Sequence, residues 1–564
     1  MEKIIIREYL ESLKEDAELD YIFVLLLETM GFQIVTTPKQ YKGYSQYGKD
    51  VIAVKVDIDG ITKRFYFELK GGSDRNITPE TFSKDDGIRQ SLIEAKDSIF
   101  TTSLVPNFDK LPKKVLVVHN GFLKPGAENT FNGFISREFP ANNPDLVFEH
   151  WDINKLTDLF NEYLFGAYLL VDKEAAHLFK KITTLFDTPQ HIFPIFQKLI
   201  QHLLEKGESL SLNKDNSIPR ELSTLMHSFE LIGYMIFTFS KEAKNLEPAK
   251  ECVTYLLLNV WGFLLSKKWE HINKLKQRFD KILELHTLVL KEYFDKTLEV
   301  AQLPKGLYFE DNGSYESVGY PLRCMDYLKY LVYYFLRIEK QPSTSKEEVE
   351  KHLEIMTNVI FNNSDGVFRP ILDNHSIPLF MVIKYFAQYN ATENIKVILD
   401  EVLNNLAISK VVFKLPDGGN NLKSVINTWI NKKDEYYTDS TSSLLGMLFE
   451  LIGTFNLLDE YEHYKKAFQG VELCIFVPFS TQLLKEHNIS ECSLEELLFK
   501  KELRKEGYQS QIILDESFEA FKEKTKNKKE FSQEWITDTQ DMFYLRWLAH
   551  TFYNTPFFPS DWRE

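Results

Sequence analysis

The sequence predicts an α/β domain, a central mixed sheet flanked by helices, followed by a large and mostly α-helical C-terminal region. Three observations carry this. Residues 48–70 read as a β-hairpin with charged residues gathered at its open end. Short continuous apolar runs, the mark of buried strands, follow it as far as Trp151. From about residue 172 amphipathic helical segments succeed one another, punctuated by breakers such as Pro304-Lys305-Gly306, Asp311-Asn312-Gly313 and Asp417-Gly418-Gly419.

The N-terminal residues 2–15 suggest a helical arm. In residues 17–30, Leu19, Ile22, Phe23, Leu26 and Leu27 share one helical face, and Gly31 offers the left-handed residue that ends a helix. A strand over Phe32–Thr37 stops at Pro38. The run Val51-Ile52-Ala53-Val54-Lys55-Val56 then turns at Ile58-Asp59-Gly60 and returns through Phe65-Tyr66-Phe67-Glu68-Leu69-Lys70 to Gly71-Gly72. A three-residue turn with Gly60 left-handed pairs Asp57 with Ile61. Counting back along that register sets Asp50 opposite Glu68, and Glu68 and Lys70, two apart, on one face. A helix near Asp85–Phe100, a buried strand Val115–Asn120, a last strand Leu146–Trp151 and a helix capped by Asp152 complete the domain. Its order is helix, strand, hairpin, helix, strand, strand, helix.

Composition bounds the function. The chain of 564 residues, 44% hydrophobic and 26% charged, is too long for one core. Its four cysteines, Cys252, Cys324, Cys474 and Cys492, are scattered, as in a reducing cytosol, and make no zinc spacing. The charged N-terminus does not read as a signal peptide, and the longest apolar run, Val253–Leu265, is too short for a membrane span. Net charge is −15, and the first 170 residues hold 20 Lys+Arg against 26 Asp+Glu. A protein that coats nucleic acid nonspecifically is normally basic, so contact with phosphate here must come from local positive patches, from metal or from an assembled oligomer.

Two carboxylates and an ammonium at the end of an apolar hairpin suit hard-cation chemistry. Asp50 and Glu68 are the oxygen ligands that Mg²⁺ or Mn²⁺ prefers, and Lys70 can orient water or neutralise developing negative charge. The plainer reading is an ordinary surface Glu–Lys pair. The preceding loop Tyr41–Lys49, with three tyrosines and two lysines, reads equally as a base-stacking, phosphate-touching loop or as a tyrosine-rich surface. His119, at a strand end, reads as structural.

Asp50 followed by Glu68-Leu69-Lys70 across a hairpin resembles the signature of the PD-(D/E)XK restriction endonuclease-like nucleases, in their Mrr-type flavour, over about residues 1–165. Lys49 stands where the family's name records a proline. The resemblance implies an α/β restriction endonuclease-like fold over 1–170, with Asp50, Glu68 and Lys70 catalytic. It implies a metal held by Asp50, Glu68 and an acidic residue of the preceding helix, placed on Asp20 with Glu18 as fallback. Gln90 on the helix after the lysine strand, with Lys49 and Arg89, would support substrate. The expected activity is Mg²⁺-dependent (or Mn²⁺-dependent) endonucleolytic hydrolysis of nucleic acid, DNA ahead of RNA, in a cytoplasmic bacterial defence effector. Residues 172–564, with a subdomain break near 410–420, would sense a regulatory partner or hold a homo-oligomer, with no membrane involved. An RNA-cutting nuclease, or a non-catalytic binding module on a nuclease scaffold, is the alternative; intact Asp50, Glu68 and Lys70 speak against the last.

Overall fold

In a computed structural model of the chain, the described residues run from 6 to 554, without 8–9, 12, 16–18, 38–49, 86, 166–172, 186–190, 215–216, 343, 413, 431, 433, 479–506, 515–516, 527–535 and 541. The chain divides into two compact units. The first is Met1–Leu256 with Asp280–Leu285; the second is Leu257–Phe279 with His286–Glu564. The helices that follow residue 172 are thus shared between the units, and the first three, Lys173–Thr184, Ile192–Glu208 and Arg220–Glu242, group with the sheet.

The first unit is built on a five-stranded mixed sheet of order β1-β2-β3-β4-β5. Its strands are β1 (Gln33–Thr36), β2 (Val51–Val56), β3 (Thr62–Lys70), β4 (Lys113–His119) and β5 (Leu146–Trp151). β1, β2 and β3 pair antiparallel, whereas β3–β4 and β4–β5 are parallel. Helix α1 (Asp20–Thr29) precedes β1 and ends at Gly31, whose φ is +84°. There Phe32 N–H donates to Leu27 O and Gly31 N–H to Glu28 O, the paired closing bonds of a Schellman motif. The hairpin takes the expected register: Val51 pairs with Phe67 and Val56 with Thr62. Gly60 is left-handed at φ +78°, and Asp57 N–H donates to Ile61 O at 2.9 Å.

Alternation along these strands gives the sheet two different faces. Ile52, Val54, Tyr66, Val115 and Val117 pack under α2 (Pro79–Ser83), α3 (Ile88–Asp97) and α4 (Pro125–Glu138) through Phe82, Leu92, Phe131 and Phe134. On the other face, Phe67 meets Phe23 of α1 at 5.2 Å and Trp151 at 5.9 Å between ring centres. Phe67 is wholly buried; truncating such an aromatic to alanine costs about 3–5 kcal/mol. Helix α5 (Ile153–Phe160) follows, with Asp152 Oδ1 accepting from Lys155 N–H as its cap.

One element departs from the sequence expectation. Between β4 and β5 lies α4, the crossover that lets these strands run parallel. Gly126, Asn129, Asn132 and Gly133 lower its helix propensity. Pro125 at its first turn and Ala127, Phe131 and Phe134 on its buried side carry it nonetheless.

The second unit is mostly helical, as expected. Helices Glu316–Glu339, Ser376–Gln388 and Phe543–Tyr553 pack through aromatic contacts such as Tyr333–Tyr544 and Phe380–Trp547. It also holds a small sheet, β6 (Thr441–Ser442), β7 (Glu472–Pro478) and β8 (Gly507–Ile512), in that order. The apolar run Val471–Val477, which by sequence suits either a strand or a core helix, is a strand, and β8, the polar Gly-Tyr-Gln-Ser-Gln-Ile, carries no apolar signal of one. Residues 515–552, whose sequence suits one helical segment, contain Phe518–Lys526, Ile536–Thr539 and most of Phe543–Tyr553. No described helix is long and apolar enough to cross a membrane. The tail Thr555–Pro559 lies outside the described residues.

Candidate active site at the open end of the hairpin

The site begins where the β2–β3 ladder ends. Asp50 N–H donates to Phe67 O at 2.9 Å, the carbonyl of the residue that pairs with Val51, so the regular ladder ends at Val51 and Asp50 sits just past it, close enough for the Glu68 charge to act on its carboxyl. Asp50 Oδ2 accepts from Leu69 N–H at 2.7 Å, which fixes the carboxyl against β3. Glu68, only 3% exposed, pairs through Oε1 with Lys70 Nζ at 2.9 Å. Asp50 Oδ1 and Glu68 Oε2 receive no hydrogen bond among the described residues.

A third carboxylate arrives from upstream, and it is Glu15. Its Oε1 lies 3.2 Å from Lys70 Nζ and its Oε2 accepts from Gly71 N–H at 3.1 Å. The sequence reading put this acid on Asp20. Asp20 instead opens α1, and the groups that act on the Asp50 carboxyl are Glu68, Lys70, Leu69 N–H and Glu15. Glu18 lies outside the described residues. Helical spacing points to α1 itself, whereas the contact is made by the segment before it, so no periodicity signals Glu15.

That segment is held in place by side chains of the sheet. Asn120, wholly buried just after β4, donates from Nδ2 to Leu10 O at 2.6 Å and Leu13 O at 2.8 Å. Arg75 Nη1 donates to Glu11 O at 2.7 Å. Gly71 passes so close that a Cβ there would sit 2.8 Å from Glu15 N, and Gly72 turns left-handed at φ +57°.

The electrostatics are unbalanced. Burial, and then the charge of Glu68, push the Asp50 carboxyl well above its ordinary range, against the pull of Lys70 and the Leu69 N–H. Burial alone would lower the Lys70 pKa, but Glu68, Glu15 and Asp50 outweigh it, so the ammonium holds its proton more firmly than usual. Among the described residues, three acids therefore share one close ammonium.

Beside Lys70 in the β3–β4 register stands His119. Its Nδ1 lies 2.8 Å from Arg75 O and its Nε2 lies 2.7 Å from His150 Nε2. A carbonyl only accepts, so His119 carries its proton on Nδ1 and accepts at Nε2 from His150 Nε2–H. Burial, then His150, lower the His119 pKa to about 4, and burial lowers that of His150. This neutral pair anchors the Arg75 loop, in keeping with a structural His119.

The remaining sequence candidates stand elsewhere. Gln90 is exposed on α3 and donates to Glu94 at 3.0 Å, while Arg89 lies over the Phe134 ring at 5.6 Å. Neither is brought to the carboxylates, because Ile88, Leu92 and Ala95 take the buried side of α3. Lys49 and the tyrosine loop lie outside the described residues.

The donor set suits a divalent cation held in part by the protein. Asp50 Oδ1 and Glu68 Oε2 are hard oxygens with no donor among the described residues, and a cation beside them would offset the burial and the Glu68 charge that raise the Asp50 pKa. The described residues gather no preformed cluster of three or more His, Cys, Asp or Glu side chains for a metal. The fit is to an ion that keeps waters and substrate oxygens, not to an all-protein cage. No protein-family model, curated protein or solved structure matches the chain.

Proposed function

We propose that the first unit is a divalent-metal-dependent nuclease that hydrolyses phosphodiester bonds, with DNA ahead of RNA as substrate. One observation carries this reading: Asp50 and Glu68 come together at the end of a buried antiparallel ladder, with more negative charge than Lys70 balances among the described residues. Asp50 and Glu68 would hold Mg²⁺ or Mn²⁺, which when bound supplies Lewis acidity toward a phosphate oxygen and water. Lys70, firmly protonated and held by Glu68 and Glu15, presents a fixed positive charge where the pentavalent phosphorus gathers negative charge. Glu15 orients that ammonium. The Leu69 N–H holds the Asp50 carboxyl in place, so little reorganisation is needed when substrate binds.

The test is incubation of the full chain with plasmid, single-stranded DNA and RNA, each with Mg²⁺, Mn²⁺ or chelator. Cleavage should require metal and vanish in Asp50→Asn and Glu68→Gln. Cutting that survives in both variants, or persists undiminished in chelator, sinks the assignment; the substrate that is cut decides between DNA and RNA. The second unit, with no catalytic motif in its sequence, we read as a sensing or assembly region, the division of labour of a bacterial defence effector.

A further inference from the structure

A cavity of about 530 Å³ lies within the second unit, between the loop after helix Asn273–Ala301, the start of helix Glu316–Glu339 and helix Thr392–Val412. That volume falls in the range of small-molecule sites. Tyr308 and Tyr320 give it an aromatic wall, their rings 5.3 Å apart and nearly perpendicular. Lys305 and Arg369 bring cations to it, and Ser317 and Asn405 bring neutral hydrogen-bonding groups.

The wall is rigidly built. Buried Asn363 donates from Nδ2 to Ala301 O and Val359 O, both at 2.8 Å, and accepts at Oδ1 from Leu307 N–H at 3.0 Å and Tyr320 O–H at 3.1 Å. Lys305 is left-handed at φ +58°, and its N–H donates to Asn362 O at 2.7 Å. Next to it, a Cβ on Gly306 would lie 1.8 Å from Val300 O, so only glycine follows Lys305 here. The breakers Pro304-Lys305-Gly306 and Asp311-Asn312-Gly313 therefore shape the mouth of a cavity.

Charge identifies the occupant. The Glu316 carboxylate is already committed to Arg323, Phe309 N–H at 3.0 Å and Asn312 Nδ2 at 2.8 Å. Lys305 meets Asp365 at 3.0 Å, but both side chains are largely exposed, at 63% and 66%, so water screens the pair and an anion can displace it. Arg369 lies over the Trp429 ring at 4.8 Å, and burial lowers its pKa from the ordinary value although Asp365 pulls the other way, so a bound anion would add to what Asp365 supplies. A ring wall beside two cations fits a planar, anionic ligand.

We propose that this cavity binds a nucleoside phosphate, the base against Tyr308 and Tyr320 and the phosphate at Lys305 and Arg369. The assignment stands apart from the nuclease reading, since every residue in it belongs to the second unit and its test reads binding. The full chain is titrated calorimetrically with the four ribonucleoside 5′-monophosphates, their nucleosides and inorganic phosphate, with thermal unfolding in parallel. At least one monophosphate should bind and raise the midpoint, with nucleoside and phosphate about tenfold weaker or worse, because each lacks half of the recognition. Lys305→Glu, an exposed change, should weaken that binding about tenfold or more while free-protein unfolding stays put. Tyr308→Ala should also weaken it, and Asp50→Asn should not. No binding by any monophosphate at millimolar concentration overturns the proposal. So does a nucleoside that binds as well as its monophosphate, or a Lys305→Glu variant that binds like wild type.

Discussion

At the turn of the β2–β3 hairpin, Asp57, Asp59 and Glu149 meet Lys63 and Lys114; at its open end, Asp50, Glu68 and Glu15 meet Lys70. The number of acids is the same, but the cations differ. At the turn, Lys63 lies 2.9 Å from Asp57 and also bonds Asp59, Lys114 bridges Asp57 and Glu149, and Lys55 adds a third positive charge. Burial pushes the Asp57 carboxyl up, but Lys63, the Ile58 N–H and Lys114 outweigh it and hold it below its usual range. The bond from Lys63 does the same to Asp59. At the open end burial and Glu68 win, and Asp50 is raised. One cluster is finished by the protein; the other, on the reading proposed above, takes a cation from outside. The sign of the carboxylate's shift, not the presence of acids and lysines, separates structural ion pairing from a candidate site.

The largest expected effect exchanges the lysines. Lys70→Met should lower turnover by about 10²–10³ while substrate still binds, as expected for a charge that acts in the transition state. Lys63→Met, 7 residues away on the same strand, should leave turnover within about twofold and lower stability instead, because Asp57 and Asp59 lose their partner. Single-turnover kinetics with folded variants decide it. Near-normal cutting by Lys70→Met reduces the open end to another salt bridge.

Next comes the metal itself. If the open end takes up the missing cation, Mg²⁺ at about 100 times its dissociation constant stabilises the protein by about 2.7 kcal/mol. Thermal midpoints with Mg²⁺ and with chelator should differ for wild type and for Asp57→Asn but coincide for Asp50→Asn. A metal shift that survives Asp50→Asn places the cation elsewhere.

The hairpin was the most legible part of the molecule, because turn chemistry fixes register: Asp57, Asp59-Gly60 and Ile61 sufficed to pair Val51 with Phe67, while the ladder turns irregular at Asp50 itself. The helix α4 was hidden by its glycines and asparagines, and β8 by its polar sequence, since tertiary packing outweighs local propensity in both. Glu15 was illegible for a different reason. Its position follows from Asn120, more than 100 residues later, gripping Leu10 and Leu13, and no local pattern encodes such a tether. The unit boundary shows the same limit. A change of periodicity near residue 172 marks where helices begin, but the first compact unit extends to Leu256 and includes Asp280–Leu285. A fragment cut near residue 170 would split that unit, so nuclease assays belong on the full chain.

At the turn end, Asp57→Asn should cost about 1–3 kcal/mol, since it leaves Lys63 and Lys114 with a lost partner in a mostly buried position. The pH dependence has a definite sign. Asp57 is lowered in the folded state, so its contribution is present above the ordinary carboxylate pKa and lost as pH falls through the folded value. Urea unfolding at pH 7 and near pH 3 should show the gap between wild type and Asp57→Asn closing toward acid. A gap of equal size at both pH values would mean that the charge of Asp57 does not supply it.

The smallest effect runs the other way and separates the two ends most sharply. Asp50 is raised in the folded state, so its stabilising share is complete below the unfolded pKa and is lost as pH rises through the folded value. At neutral pH without metal, Asp50 therefore costs the fold something. Asp50→Asn removes that charge beside Glu68, while the amide oxygen can still accept the Leu69 N–H that now reaches Asp50 Oδ2 at 2.7 Å. In chelator the variant should be more stable than wild type by about 1 kcal/mol near pH 8, the size common where a strained site residue is neutralised. The advantage should fade as pH falls and the wild-type carboxyl takes up its proton. Added Mg²⁺ should then reverse the order by stabilising wild type alone. An Asp50→Asn protein that is less stable than wild type in chelator at every pH would show that Asp50 is satisfied as it stands, and that the open end, like the turn, is a closed structural cluster.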